Sequence, residues 1–216
     1  LEIRHKSGMI KAVVTSWIFV TVLWVSPLSA HAAEEVAPPA EAARFVTALG
    51  EQAIKVLSDQ SIPLEQREEQ VRQLLSRNFA LDKIGRFVLG RAWKKATEAQ
   101  QSEYLQLFSK YVLTTYSRRL GGYAGEELEI VKAQPMGKRD AVVLSKVHRA
   151  DAAPLNCGWR VRLDENRFQI MDIIVEGVSM ISVQRSEFAA VVKNQGVDGL
   201  IESLRMQVSK YTAQAS

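Results

Sequence analysis

A chain of 216 residues, 47% hydrophobic and 24% charged, is long enough to bury the core of one sizeable domain. Its net charge of +4 is not gathered into a basic block, so composition gives no warrant for a nucleic-acid partner. A single cysteine, Cys157, excludes an internal disulfide and leaves stability to the core.

The first segment reads as a targeting signal. Arg4, Lys6 and Lys11 precede the apolar run Ala12 to Val25, and Ala30-His31-Ala32 supplies a small-x-small cleavage pattern. The run is about 14 residues, short of the roughly 20 needed for a permanent membrane anchor. Residues 1–32 are therefore expected to be a signal peptide, cleaved near Ala32/Ala33 on export. Its loss removes three basic residues and one acidic one, which lowers the net charge from +4 to +2. Residues 33–40, rich in Pro and Ala, read as a flexible tether, 41–209 as one domain and 210–216 as a tail.

Helical spacing dominates the first half. Phe45, Leu49, Ile54 and Leu57 predict one helix up to the turn "SDQSIP", and Leu64 to Phe79 predicts a second with Val71, Leu74 and Leu75. In "LDKIGRFVLGRAW", Asp82 is placed to cap a short helix that Gly90 would end. Thr97 and Gln100 form a capping-box pattern that opens the longest helix, Glu98 to about Leu120, stopped by Gly121-Gly122. Tyr104, Leu105, Phe108, Tyr111, Val112, Thr115 and Tyr116 give that helix a wide apolar face, expected to meet the sheet.

After Gly125 the period changes to two. "ELEIVKAQP", "AVVLSKVHRA", "LNCGWRVRL" and "FQIMDIIVE" predict four antiparallel strands in a meander. Cys157, Trp159, Val161 and Leu163 share one face of the third strand. The fourth is apolar on both faces, with Phe168, Ile170 and Ile174 on one and Met171, Ile173 and Val175 on the other. A strand greasy on both sides needs cover on both, or a sheet that curves around an apolar cavity. Gly177 suits a backbone reversal, Ser179 or Ser182 a helix cap, and two further helices follow, divided near Gly196. The fold class is α+β, with one sheet packed against helices from both ends of the chain.

Catalytic constellations are scarce. Once His5 and His31 leave with the signal peptide, His148 is the one histidine left, which removes His/Cys metal clusters and leaves a single partner for any nucleophile. No G-x-S-x-G elbow is present, so no catalytic residue, metal or cofactor is assigned. Asp172, flanked by apolar residues, reads as a structural anchor for an arginine or a backbone amide. An exported chain without catalytic groups is a binding module, an inhibitor or a carrier; a solid-core interaction protein and a lipid hydrolase using His148 are the competing classes.

Two segments, "NFALDKIGRFVLGRAWKKATEAQQSEYLQLFSKYVLTTY" and "WRVRLDENRFQIMDIIVEGVSMISVQRSEF", resemble the periplasmic MlaC-type (toluene-tolerance) lipid-shuttle family. Phe87, Leu89-Gly90, Trp93, Thr97, Gln100, Phe108, Tyr116, Asp172, Glu176-Gly177-Val178-Ser179, Arg185 and Phe188 match its pattern in order. Val183-Gln184-Arg185 departs from it, standing where the family often has Asn-Tyr-Arg. The resemblance implies a curved four-stranded antiparallel sheet with a lipid cavity between sheet and helices. It implies a phospholipid ligand, carried through the periplasm between an outer-membrane lipoprotein complex and an inner-membrane ABC transporter; related members are associated with hopanoids. The acyl tails are then expected to touch Phe87, Val88, Trp93, Leu105, Phe108, Val112, Tyr116, Val143, Val147, Trp159, Val161, Ile170, Ile174, Val178 and Phe188, with Asp172, Gly177 and Arg185 structural.

Overall fold

The computed structural model describes residues 36–123 and 125–213, so the expected signal peptide lies outside the described residues. The first helix, α1, spans Pro39–Ser58, with Pro38 at the N-cap. Proline at the first helical position presets φ and lacks only an N–H that would be unpaired there anyway. The helix thus begins inside the stretch expected to be tether. Ala37, fully buried, is pinned just before it, its N–H donating to the Arg139 carbonyl at 3.2 Å.

Next come α2 (Leu64–Asn78) and α3 (Leu81–Leu89). Asp82 lies in the first turn of α3, where its charge suits the helix N-terminus, but the N-cap itself is Ala80 and makes no side-chain cap. Gly90, at φ 61°, ends α3 and leads into a short 3-10 turn, Gly90–Lys94. The helix α4, Glu98–Gly121, opens with the capping box: the Gln100 N–H donates to Thr97 Oγ1 at 3.2 Å and the Thr97 N–H to Gln100 Oε1 at 2.9 Å.

Five strands follow, not four: β1 (Glu127–Met136), β2 (Asp140–Arg149), β3 (Ala152–Asp164), β4 (Arg167–Val175) and β5 (Val178–Ser179), paired antiparallel in sequence order. The extra strand comes from the turn after β4. Glu176 and Gly177 both have positive φ, 48° and 80°, which suits a tight two-residue hairpin and returns the chain alongside β4 for two residues. The last helix, α5 (Met180–Ala213), breaks at Gly196 (φ 72°) and runs three residues past Lys210, where the tail was expected to start.

A second departure decides which side chains face which way. Arg160 pairs with Asp172 but Val161 pairs with Ile170, so Met171 is an inserted residue, a β-bulge. The insertion reverses the alternation midway along β4: Phe168, Ile170, Ile173 and Val175 fall on one face, Asp172 and Ile174 on the other. The grouping of Ile174 with Ile170 and of Ile173 with Met171, expected from strict alternation, is therefore corrected. Val131 is a similar insertion in β1.

The layers also differ from expectation. It is α1 that lies over the inner face of the sheet, while α4 packs mainly on α2, α3 and α5. The apolar surface of α4 is wide enough to serve three helical neighbours, and its width does not say which. The two layers meet at Phe79 and Ala80, where the Ala80 N–H donates to the Ile170 carbonyl at 3.0 Å, occupying a stretch of β4 that β5 is too short to cover.

Candidate functional site

The inner face of the sheet is an apolar floor. Val143, Val161 and Ile170 are fully buried at its centre under Ala42 and Val46 of α1. Around them Phe45, Leu49, Leu128, Ile130, Trp159, Leu163, Phe168 and Ile173 are only half-buried. Phe45 stacks on Phe168 with ring centroids 5.8 Å apart, fastening α1 to the end of β4. The polar groups on this floor are satisfied: Trp159 Nε1 donates to Ser145 Oγ at 2.9 Å, and the Ser145 hydroxyl donates to the Cys157 carbonyl at 3.3 Å. Burial raises the Cys157 thiol pKa, with Glu176 adding to the effect, which keeps the sulfur protonated and unreactive.

The other expected tail contacts fall elsewhere. Val88, Phe108 and Phe188 belong to a second cluster, between α3, α4 and α5, with Trp93, Leu105 and Val112 packed against it. Phe188 meets Tyr104 and Phe108 edge-on, at 6.4 and 6.2 Å. Tyr104 is fully buried, donates its hydroxyl to the Gly85 carbonyl at 3.0 Å, and has its pKa raised by burial. Phe79 packs against both clusters and joins them.

Five expected contacts belong to neither cluster. Phe87 is 41% exposed beneath the Arg185 guanidinium, and Val178 is 50% exposed on β5. Tyr116 is half-buried under Arg119. Ile174 lies on the outer face, against Gly158, where it lines a shallow pocket of about 260 Å³ with Val131 and Leu144. Val147 is on the inner face, opposite Leu128 and Leu155, at the far end of β2. Phe45 and Leu49 of α1 were legible as a helical stripe, but no sheet partner was assigned to them.

Asp172, 5% exposed on the outer face, accepts from the Ser179 hydroxyl at 2.6 Å and from the Ile181 N–H at 3.2 Å. Ser179 in turn accepts from the Ser182 N–H at 3.2 Å, so the carboxylate and the hydroxyl together cap the start of α5. Asp172→Ala should cost about 2 kcal/mol in a urea unfolding titration, the usual scale for leaving charge-assisted donors without their acceptor. His148 shares a 2.7 Å contact with Glu129, both side chains about half exposed, and among the described residues no serine, threonine or cysteine side chain is recorded bonding its ring.

A match to the family described as MlaC protein covers residues 47–206, from the middle of α1 into the last turns of α5. This chain belongs to the MlaC family. A curated relative from Haemophilus influenzae, the intermembrane phospholipid transport system binding protein MlaC, is 22% identical over 134 residues. That alignment covers 60% of this chain and 63% of the relative, under two thirds of its length. Among solved structures, a phospholipid-binding protein from Ralstonia solanacearum, determined in complex with a phospholipid, superposes with a TM-score of 0.69 at 20% identity. The superposition covers 79% of this chain and 98% of that one, so the MlaC-family layout of sheet and helices is shared almost throughout the Ralstonia protein.

Proposed function

We propose that this protein is an exported carrier that binds one phospholipid and moves it through the periplasm. The observation that carries the reading is the half-buried apolar rim around the inner face of the sheet, from Leu128 and Ile130 to Leu163 and Ile173. These side chains keep part of their apolar surface open around a fully buried centre of Val143, Val161 and Ile170, which suits a surface completed by acyl chains. Membership of the MlaC family and the phospholipid named for both relatives support the same cargo.

The tails would lie in a cavity over Val143, Trp159 and Val161, opened as α1 yields at its Phe45–Phe168 contact. Each buried methylene is worth about 0.8 kcal/mol, so a 16-carbon chain resists exposure to water by roughly 12 kcal/mol. A carrier of this kind must therefore release its cargo while docked, to a site that also hides the tail. Its partners in that role are an outer-membrane lipoprotein complex and an inner-membrane ABC transporter. Transfer needs no bond-making, in keeping with the solvated surroundings of His148 and a protonated Cys157.

Expressed with its leader and purified from the periplasm without detergent, the protein should release one diacyl phospholipid per chain on denaturation, identified by mass spectrometry. Hopanoid in place of phospholipid would change the cargo but not the carrier; lipid-free protein in repeated preparations would end the proposal.

A further inference from the structure

Away from the sheet floor, α3, the 3-10 turn and α5 enclose an open pocket of about 560 Å³. Five cations line it, Arg86, Arg91, Lys94, Lys95 and Arg185, and no carboxylate does. Among the described residues, none of the five is recorded in an ion pair or a side-chain hydrogen bond, although carboxylates elsewhere hold Arg72, Lys83, Arg160 and Arg205. Such convergence of like charges is unfavourable unless a counter-charge relieves it.

Two of the five are held in place by aromatic rings. The Arg86 guanidinium lies 5.1 Å from the Trp93 ring centroid, and that of Arg185 lies 4.7 Å from the Phe87 ring centroid. Stacking occupies the flat face of a guanidinium and leaves its edge, with the N–H donors, free for a planar or tetrahedral oxyanion. Gly90 contributes by having no side chain: a Cβ there would sit 3.1 Å from Arg185 Nε, so the guanidinium lies against bare backbone. The C-terminal dipole of α3 accounts for cations near its end, such as Arg86 and Arg91. It does not account for Arg185, which arrives from α5.

We propose that this pocket is a phosphate-binding site, formed by Arg86, Arg185 and the Arg91–Lys95 segment, that takes the phosphate group of an anionic lipid headgroup or free inorganic phosphate. Guanidinium edges pair with carboxylate and phosphate alike, but five converging cations favour a multiply charged oxyanion over a lone carboxylate. The exposed Phe87 ring offers the site an apolar floor.

The test uses the purified full chain and the double variant Arg91→Glu/Lys95→Glu, which alters two exposed side chains that belong to neither apolar cluster. Inorganic phosphate titrated by calorimetry should bind the parent, and the double variant should bind about tenfold or more weakly. Phosphatidylglycerol vesicles that sediment the parent, while phosphatidylcholine vesicles do not, would assign the site to lipid headgroups. Phosphate binding without vesicle binding would assign it to the free anion. The proposal is overturned if phosphate fails to bind the parent, if the double variant binds it equally well, or if a polyglutamate peptide binds in a way that phosphate cannot displace. Lipid retained through purification, measured on the same samples, should be unchanged in the double variant, so the carrier role and the phosphate site fail or stand separately.

Discussion

Phe108→Ala should lower stability by about 4 kcal/mol in urea unfolding, the largest effect expected of any single truncation here. The ring is 1% exposed, stacks on Tyr104 with centroids 5.7 Å apart, and meets Phe188 edge-on. It also closes over Gly85, where even a Cβ would come within 3.0 Å of the ring. Two helices already touch there at a glycine, so the backbones have little room to move in and fill the void. A useful contrast is Phe87→Ala, one residue past Arg86 on the solvent side of α3, which should cost less than about 1 kcal/mol because its ring is already 41% exposed. Equal losses at the two positions would mean that the helical cluster is not the rigid part of the molecule.

Asp140→Ala should cost about 3 kcal/mol, and the native protein should show the same dependence as a loss of stability in acid. The carboxylate is 2% exposed as a residue and accepts from Arg160 Nε at 2.5 Å and from Arg162 Nε and Nη2 at 2.6 and 3.0 Å. Removing it takes away the carboxylate that both guanidinium groups share on the outer face. The cost lies at the low end of the range for broken buried pairs because the Arg160 side chain keeps 31% of its surface in water. Burial by itself would raise the Asp140 pKa, but the hydrogen bonds from Arg162 and Arg160 outweigh it and hold the carboxyl below its ordinary value. Because the folded value is the lower one, the ionised form stabilises the native state above the unfolded pKa near 4, and that stabilisation fades as pH falls through the folded value. Unfolding titrations from pH 7 to pH 2 should therefore show a decline below about pH 4 that is shallower in Asp140→Asn. Parallel profiles for the two proteins would remove Asp140 as the cause.

Local signals in the chain were read well where one residue type has one physical use. Thr97 and Gln100 form the capping box expected of them, and Gly90 ends α3 with the positive φ that glycine tolerates best. Positions set by tertiary structure were harder. Met171 was not recognised as an insertion, because β4 reads as apolar on both faces and its two interior polar residues, Gln169 and Asp172, are too few to set a clear alternation. A two-residue strand such as β5 is too short to have a period. The face of α4 was visible, but apolar width cannot name a partner, and the sheet went to α1 instead. The same limit applies to the candidate site. Trp159 and Val161 were placed on one face by alternation, Ile174 was misplaced by the bulge, and Phe45 and Leu49 needed the topology of the N-terminal helix to acquire a role.

The helical cluster has a consequence for the order in which the chain can acquire its structure. Phe188, Leu200, Ile201 and Leu204 complete a cluster whose other buried members, from Ile84 to Phe108, precede the whole sheet in sequence. The early helices therefore cannot be sealed until nearly all of the chain is present, and closing that long loop is entropically slow. Until α5 arrives, Tyr104 and Phe108 lack the Phe188 ring that covers them. A chain emerging from one end stays open to its surroundings along this seam longest, and truncation within α5 would leave it permanently unsealed.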